Sequence, residues 1–262
     1  MIALQTPTTR PIAVQHGGEI RHVFRVAMQP QEVTNAWRLV YQVYRRRGMI
    51  GVNPNRIHTA PQWMGQHTAV FYGRDDRGVV ATLTATVDEG SQLPLDKVYG
   101  VELDLLRSQG RRLVECGLFA HARLLDNDDV PEEFEDLRGV GGSLCQLMRY
   151  AYYFGIFHGA TDFLIGVHPW HAGFYRRAFG FSLAGSERTY PLVNNRPVVL
   201  MRANHAAVRE ANPRPWAMAY VMGKPLAPRA FCNRFILRSD QLGAPEPLLD
   251  CLRDDHDMEW IA

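Results

Sequence analysis

The stretch IGVHPWHAGFYRRAFGF, Ile165 to Phe181, holds a strand, a helix start and several ionisable side chains in seventeen residues. An apolar strand ends at Val167, His168 follows, and Pro169 stands where a fixed φ preorganises the first residue of a helix. Along that helix Ala172 and Tyr175 are three apart and share a face. Gly180-Phe181 then closes the helix and restarts a strand. Ligands of wound sheets gather beyond the carboxyl ends of strands, beside a helix N-terminus, so this junction is a candidate site. His168 and His171 are also three apart, which suggests a metal pair. No third ligand follows from the spacing, and Pro169 sets His168 ahead of the helix, so no metal is expected. His171 reads instead as part of an acceptor pocket, a hydrogen-bonding group at the helix start, or a second candidate base.

Upstream of this stretch, TDFLIGV is its apolar strand and Ser143 to Phe157 a helix carrying Leu144, Leu147, Met148, Ala151, Tyr152 and Phe154. RRLVECGLFAHA, Arg111 to Ala122, reads as a buried strand with one acid, Glu115, inside it. The acidic run DNDDVPEEFEDLRG between the two reads as a solvated insertion. Residues 88–109 read as a loop and a short helix. His67 to Gly73 and Val79 to Val87 form two strands joined by the polar turn Arg74 to Gly78. Before them come a strand over His22 to Met28, a helix opened by Pro30 and running to about Arg47, and a long irregular connection through Trp63. Downstream, strands are expected over Ser182 to Tyr190 and Arg196 to Arg202. Strands interrupted by helices imply an α/β (α+β) fold, a mixed sheet covered on both faces. Residues 1–18 read as a flexible arm and 205–262 as an irregular extension packing on the core.

Composition narrows the function. The chain has 262 residues, 46% hydrophobic and 21% charged, with net charge +2 from 29 basic and 27 acidic side chains. That balance does not mark a nucleic-acid binder. No apolar run approaches the roughly 20 residues of a membrane-spanning helix, and the N-terminus lacks the pattern of a secretory signal. Cys116, Cys145, Cys232 and Cys251 show no metal-finger spacing. A cytoplasmic protein with reduced thiols is expected, with its oligomeric state left open.

The succession Ala172, Tyr175, Gly180-Phe181 resembles the last core helix of the GNAT acyltransferase superfamily. HPWHAGFYRRAFGF followed by ERTYPLVNNRPVVLMR resembles one branch, the long-chain N-acyl amino acid synthases, which are related to the acyl-homoserine-lactone synthases. VECGLFAHA and YQVYRRRGMI are similar to that branch's central strand and to the end of its first helix, so the resemblance covers about Phe24 to Arg202. It implies a mostly antiparallel twisted sheet with helices on both faces, over residues 19–204. It also implies transfer of a fatty acyl group from a thioester, of an acyl carrier protein or of coenzyme A, to an amino acid or amine. That thioester would be a co-substrate, with no tightly bound cofactor.

In such an enzyme Tyr175 would support the departing thiolate, whose unperturbed pKa is about 8.5. Glu115 would accept the amine's proton; structurally it could instead pair with Arg111, Arg112 or Arg149. Leu118 and Phe119, in the central strand, would hold the donor, and strand amides near Cys116 to Leu118 would polarise its carbonyl. Arg138-x-x-Gly141-Gly142-Ser143 is similar to the superfamily's pyrophosphate loop, with Ser143 where Gly or Ala is usual. Arg38 or Arg45 could clamp an acceptor carboxylate, and Tyr41 and His168 complete the expected substrate-binding set. Arg45, Arg46 and Arg47, with Arg176 and Arg177, could dock an acidic carrier protein. Trp37, Tyr41, Tyr44, Phe71, Tyr72, Phe119 and Tyr152 suit an acyl channel or an ordinary core. The rival readings are an acetyl-CoA-dependent N-acetyltransferase, an acyl-homoserine-lactone synthase using S-adenosylmethionine, a Cys116 acyl-enzyme, and a non-catalytic acyl- or carrier-binding module.

Overall fold

A computed structural model describes residues 12–13, 22–89, 92–125, 139–211 and 220. The hairpin expected at Arg74 to Gly78 forms: β3 (Thr68–Arg74) pairs antiparallel with β4 (Val79–Val87), from Thr68 opposite Thr86 to Arg74 opposite Val79. Asp75 Oδ1 accepts the amides of Arg77 (2.8 Å) and Gly78 (3.1 Å), which closes the turn. Ahead of the hairpin, β2 (Val23–Val26) pairs with β3, and β1 (Ile12–Ala13) pairs with β2. Helix α1 (Pro30–Arg46) starts at Pro30, and Glu32 Oε2 accepts the amides of Met28 (2.7 Å) and Gln29 (3.0 Å). Its stripe of Val33, Ala36, Trp37, Val40 and Val43 is buried on the sheet, with Trp37 Nε1 donating to Thr84 Oγ1 at 3.1 Å.

The remaining elements are α2 (Asp96–Ser108), β5 (Leu113–His121), α3 (Val140–Phe157), β6 (Asp162–Val167), α4 (Ala172–Phe179), β7 (Ser182–Leu183), β8 (Arg188–Tyr190), β9 (Arg196–Asn204) and α5 (His205–Ala211). The sheet order is β1-β2-β3-β4-β5-β6-β9-β7, with β8 pairing β9. Every pairing is antiparallel except β5 with β6. Strand alternation sorts side chains onto two faces. Val114, Cys116, Phe163, Ile165, Val199 and Met201 join α1, α3 and α4 in the larger core. Leu113, Leu164, Val198 and Leu200 join Tyr99, Leu103 and Leu106 of α2 in a smaller core on the other face. Helices therefore cover both sides, as expected.

Four local expectations change. The loop and short helix expected over residues 88–109 contain the thirteen-residue α2, tied at both ends by Arg107, which bonds Asp88 at 2.6 Å and Asp96 at 2.7 Å. The strand expected over Ser182 to Tyr190 is two strands, because the chain bends at Gly185 around Tyr99. A Cβ on Gly185 would come within 2.8 Å of the Tyr99 ring. Helix α3 begins at Val140, so Gly141, Gly142 and Ser143 lie in its first turn. Pro169 opens a single 3-10 turn, Pro169–His171, and α4 follows it. The acidic insertion, Arg138, and the N-terminal arm apart from β1 lie outside the described residues, as does the extension after residue 211 apart from Tyr220. Tyr220 is 1% exposed and donates its hydroxyl to Phe179 O at 2.7 Å.

Candidate active site

The parallel ladder between β5 and β6 lasts three pairs: Leu113 with Asp162, Val114 with Phe163, and Glu115 with Leu164. Beyond it β5 runs on to His121 and β6 to Val167 with no pairing between them, so the sheet splits after Glu115. On its other edge β5 carries a bulge: Thr84 opposes Gly117 and Thr82 opposes Ala120, which leaves Leu118 and Phe119 facing Leu83 alone. Leu118 takes a left-handed φ of 51° there. A bulge beside an unpaired edge frees backbone groups to meet a ligand. Leu118 and Phe119 therefore stand at the split.

Glu115 is the last paired residue before the split. Alternation turns its side chain toward α2, where the Leu95 amide donates to Oε2 at 2.9 Å. No cation among the described residues pairs with it, so Arg111, Arg112 and Arg149 do not neutralise it. Burial, reinforced by Asp96, holds the carboxyl well above its usual pKa despite the Leu95 hydrogen bond. A carboxylate made more basic in this way suits proton acceptance.

Tyr175 comes to the same split from the opposite face. His168 Nδ1 accepts the Trp170 amide at 3.3 Å, and the 3-10 turn leads into α4. Gly180 ends α4 with φ 72°, its amide donating to Arg176 O and the Phe181 amide to Tyr175 O. Tyr175 is buried among Phe174, Phe179 and Phe181, with Tyr44, Cys116 and Cys145 as electrostatic neighbours. Burial raises its hydroxyl pKa above the ordinary tyrosine value. It therefore keeps its proton and acts as a hydrogen-bond donor. Cys116 is likewise pushed up by burial and by Glu115, so it rests as a thiol. An activated nucleophile requires the reverse shift, which argues against a Cys116 acyl-enzyme.

Burial, with help from His168 and Arg47, lowers His171 to about 4. That makes it a far weaker base than Glu115 and ranks it second for the role. His168 is exposed and serves as the cap of the turn. Among the described residues no group of three His, Cys, Asp or Glu side chains could hold a metal.

The N-terminus of α3 follows the far end of β5. Gly139 is its N-cap, with no side-chain cap among the described residues and no acid in its first turn, so a helix N-terminus with the amides of Val140, Gly141 and Gly142 opens there. The Ser143 amide bonds Gly139 O, and its hydroxyl lies 3.2 Å from His121 Nε2. His121 Nδ1 accepts the Arg123 amide at 3.1 Å, so the ring proton sits on Nε2 and is donated to Ser143. Serine stands at this loop position because a buried histidine partners it.

Helix α1 carries three of the expected substrate-binding residues, and Arg47 follows its last turn. Arg38 is exposed and lines a groove of about 350 Å³ between α1 and the β3–β4 turn, with Glu32, Asn35, Tyr72, Arg74 and Arg77. Tyr41 is buried, and Arg45 is exposed at the helix end. Tyr44 and Arg47 are the α1 side chains that act on Tyr175 and His171. Trp37 and Phe71 are fully buried core, and Tyr72 donates to Glu32 Oε1 at 2.7 Å beside the groove. The residue that sequence reasoning left without a role is Tyr190. It packs on the α2-side core, and burial, Glu115 and Tyr44 raise its pKa. The Tyr-Pro pair at Tyr190 was visible in sequence, but its nearness to Glu115 depends on the β8–β9 pairing.

Comparison with known proteins places the fold and the family. Among solved structures, FeeM, an N-acyl amino acid synthase from uncultured soil microbes, superposes with TM-score 0.59 at 23% identity, over 79% of this chain and 98% of that one. The acyl-homoserine-lactone synthase LasI superposes with TM-score 0.54 at 11% identity, over 79% of this chain and 100% of that one. TofI, in a ternary complex with an inhibitor and MTA, gives 0.50 at 16% identity, over 73% and 98%. These likenesses show a shared GNAT-like fold. No curated protein sequence matches the chain. The profile of the N-acyl amino acid synthase FeeM family matches residues 35–204, which span the split sheet, Glu115 and Tyr175. The chain belongs to that family and is an acyltransferase.

Proposed function

We propose that the protein transfers a long-chain fatty acyl group from the phosphopantetheine thioester of an acyl carrier protein to the amino group of an amino acid. The observation that carries this reading is the split after Glu115, with a basic carboxylate on one face and a protonated tyrosine on the other. A thioester threaded through the opening meets the incoming amine from the α2 side and leaves its sulfur on the α4 side. Carbonyl substitution needs that separation, because nucleophile and leaving group occupy different corners of the tetrahedral intermediate.

In this reading the acceptor ammonium gives one proton to Glu115 and attacks the thioester carbon. The intermediate's oxygen is met by amides of β5 near Leu118. Collapse breaks the carbon–sulfur bond, with the thiolate accepting a hydrogen bond from Tyr175. The second amine proton passes to the departing thiolate, directly or through water, and Glu115 releases the first to solvent, so the products are an amide, a thiol and a proton. The acid-free N-terminus of α3 supports binding of the donor's phosphate, with Arg138 as its expected companion. Exposed Arg45, Arg46, Arg176 and Arg177 support docking of an acidic carrier. No helix among the described residues is long and apolar enough to cross a membrane, and we place the reaction in the cytoplasm, where carrier-bound acyl groups are made.

The test is incubation with amino acids and one of three donors: hexadecanoyl carrier protein, hexadecanoyl-CoA or acetyl-CoA. Mass spectrometry should find N-hexadecanoyl amino acids, fastest with the carrier. Transfer of acetyl alone would overturn the long-chain reading. Equal rates from both hexadecanoyl donors would overturn the carrier preference.

A further inference from the structure

The amide that Glu115 accepts belongs to a clamped turn. Leu95 is the N-cap of α2, and Asp96, the next residue, carries a carboxylate into the helix's first turn. Asp96 Oδ2 accepts the Leu93 amide at 2.6 Å, and the Asp96 amide donates to Leu93 O at 3.0 Å. These two bonds fold residues 93–96 into the turn that aims the Leu95 amide at Glu115. Arg107 grips the same carboxylate with both arms, Nη1 on Oδ1 and Nη2 on Oδ2, each at 2.7 Å. In a straight helix residues eleven apart would stand about 16 Å from each other, beyond the reach of an arginine. The helix breaks at Tyr99 (φ −123°, ψ 28°), which brings its first turn back to Arg107. Arg107 Nε also bonds Asp88 Oδ2 at 2.6 Å, and Asp88, just past β4, gives its amide to Leu113 O at the head of β5.

The clamp carries charge as well as position. Asp88, Asp96 and Asp104 share one guanidinium, so the cluster stays net negative. The Asp88 and Asp96 side chains are only 8% exposed, which leaves water little room to screen them. Asp96 is the acid that acts on Glu115. From the other elements, Glu115 meets Thr86 of β4 and Leu164 of β6 across the ladders. Tyr190 of β8 and Cys116 beside it both keep their protons. Removing the guanidinium therefore leaves Asp96 uncompensated and makes Glu115 harder to ionise, while removing the Asp96 charge does the reverse.

We propose that Arg107 is a positioning residue for acyl transfer, fixing the Glu115 carboxylate through Asp96 and the Leu95 amide and setting how strongly it draws the amine's proton. The inference rests on the acyl-transfer reading and adds Arg107 and Asp96 to the Glu115 side of it. Arg107 acts only through these groups and moves no proton.

The test is the pH profile of kcat/KM with hexadecanoyl carrier protein and an amino acid that reacts. Activity of the wild type should rise with pH as Glu115 loses its proton, and Glu115→Gln should abolish that rise. Arg107→Gln should move the midpoint up by about one pH unit, and Asp96→Asn should move it down by a similar amount, the scale of one nearby charge. Arg107→Lys, which keeps the charge without the fork, should fall between wild type and Arg107→Gln. Should Arg107→Gln fail to fold, the opposite shifts of Arg107→Lys and Asp96→Asn decide. A midpoint unmoved in the folded variants, or moved the same way by both charge changes, makes Arg107 a brace for α2 alone. That result overturns the inference and leaves acyl transfer standing. If wild type acylates no amine, or the rise with pH persists in Glu115→Gln, the reading of Glu115 as the base fails and this inference falls with it.

Discussion

The β3–β4 hairpin and the β5–β6 pair lie side by side in the same sheet, joined through the β4–β5 ladder, and they are built oppositely. The hairpin pairs along its length, and Ala69, Val70, Phe71, Leu83 and Ala85 fill its buried positions. The β5–β6 ladder stops after three pairs, and its neighbourhood buries Glu115, His121, Ser143 and Tyr175. Apolar burial in a complete ladder yields stability at roughly 25 cal/mol per Å². Polar burial beside an interrupted ladder costs stability and raises reactivity. One region should therefore respond to mutation in its melting temperature, the other in its turnover.

The largest effects are expected from one substitution in each region. Phe71→Ala should destabilise the fold by about 3–5 kcal/mol, read by urea unfolding, as core Phe truncations do. Glu115→Gln should lower turnover by roughly 10² to 10⁴-fold, the range for a positioned base, without loss of stability. If Glu115→Gln unfolds the protein as readily as Phe71→Ala and leaves turnover intact, the contrast is wrong. Tyr175→Phe comes next: about 10- to 100-fold lower turnover, from one hydrogen bond to a developing anion, with an almost unchanged melting point. A fall in melting point without a fall in rate would make Tyr175 a packing residue.

Acid should act on the polar region first. His58, His121 and His171 are lowered to about 4, and His205 to about 3, chiefly by burial. Each has a folded pKa below its unfolded value of 6.5, so the unfolded chain binds more protons between them. Their contribution is whole above pH 6.5 and is lost as pH falls toward 4. Glu115 has the opposite sign. Its folded pKa is raised, so its contribution is present below 4.5 and lost as pH rises. Thermal melts from pH 8 to pH 4 should therefore fall below pH 6.5, and Glu115→Gln should melt higher than wild type at pH 8 but not at pH 4. The smallest effect belongs to the hairpin turn, where Asp75→Ala removes a cap on two amides and should cost about 1 kcal/mol in the same urea assay.

The two regions also differ in how far they could be read from sequence. The hairpin was legible because its signal is local: two β-rich runs around Arg74 to Gly78. The order of elements, helices on both faces, and the strand-to-helix junction after Val167 were legible for the same reason, though not the 3-10 turn inside that junction. α2 was underestimated because Arg107 stabilises it through Asp88 and Asp96, contacts that no periodicity reveals. The break at Gly185 depends on the Tyr99 ring from a distant helix. Within the site, Glu115 announced itself as an acid in an apolar strand, and Tyr175 through its spacing from Ala172. Tyr190 beside Glu115 and the His121–Ser143 bond were not visible, since cross-strand register and loop packing assemble them. Arg38 lines the groove beside the β3–β4 turn, a placement set by how α1 packs on the sheet.

The central claim is that an acyl thioester threads the gap between β5 and β6. A crystal structure with a non-reactive thioether analogue of hexadecanoyl-pantetheine tests it most directly. The sulfur should lie within hydrogen-bonding distance of Tyr175 Oη, with the carbonyl-equivalent carbon in the gap and its other face open toward Glu115. Electron density for the analogue in the groove beside Arg38 and Tyr72, with the gap after Glu115 filled by side chains, would contradict the account.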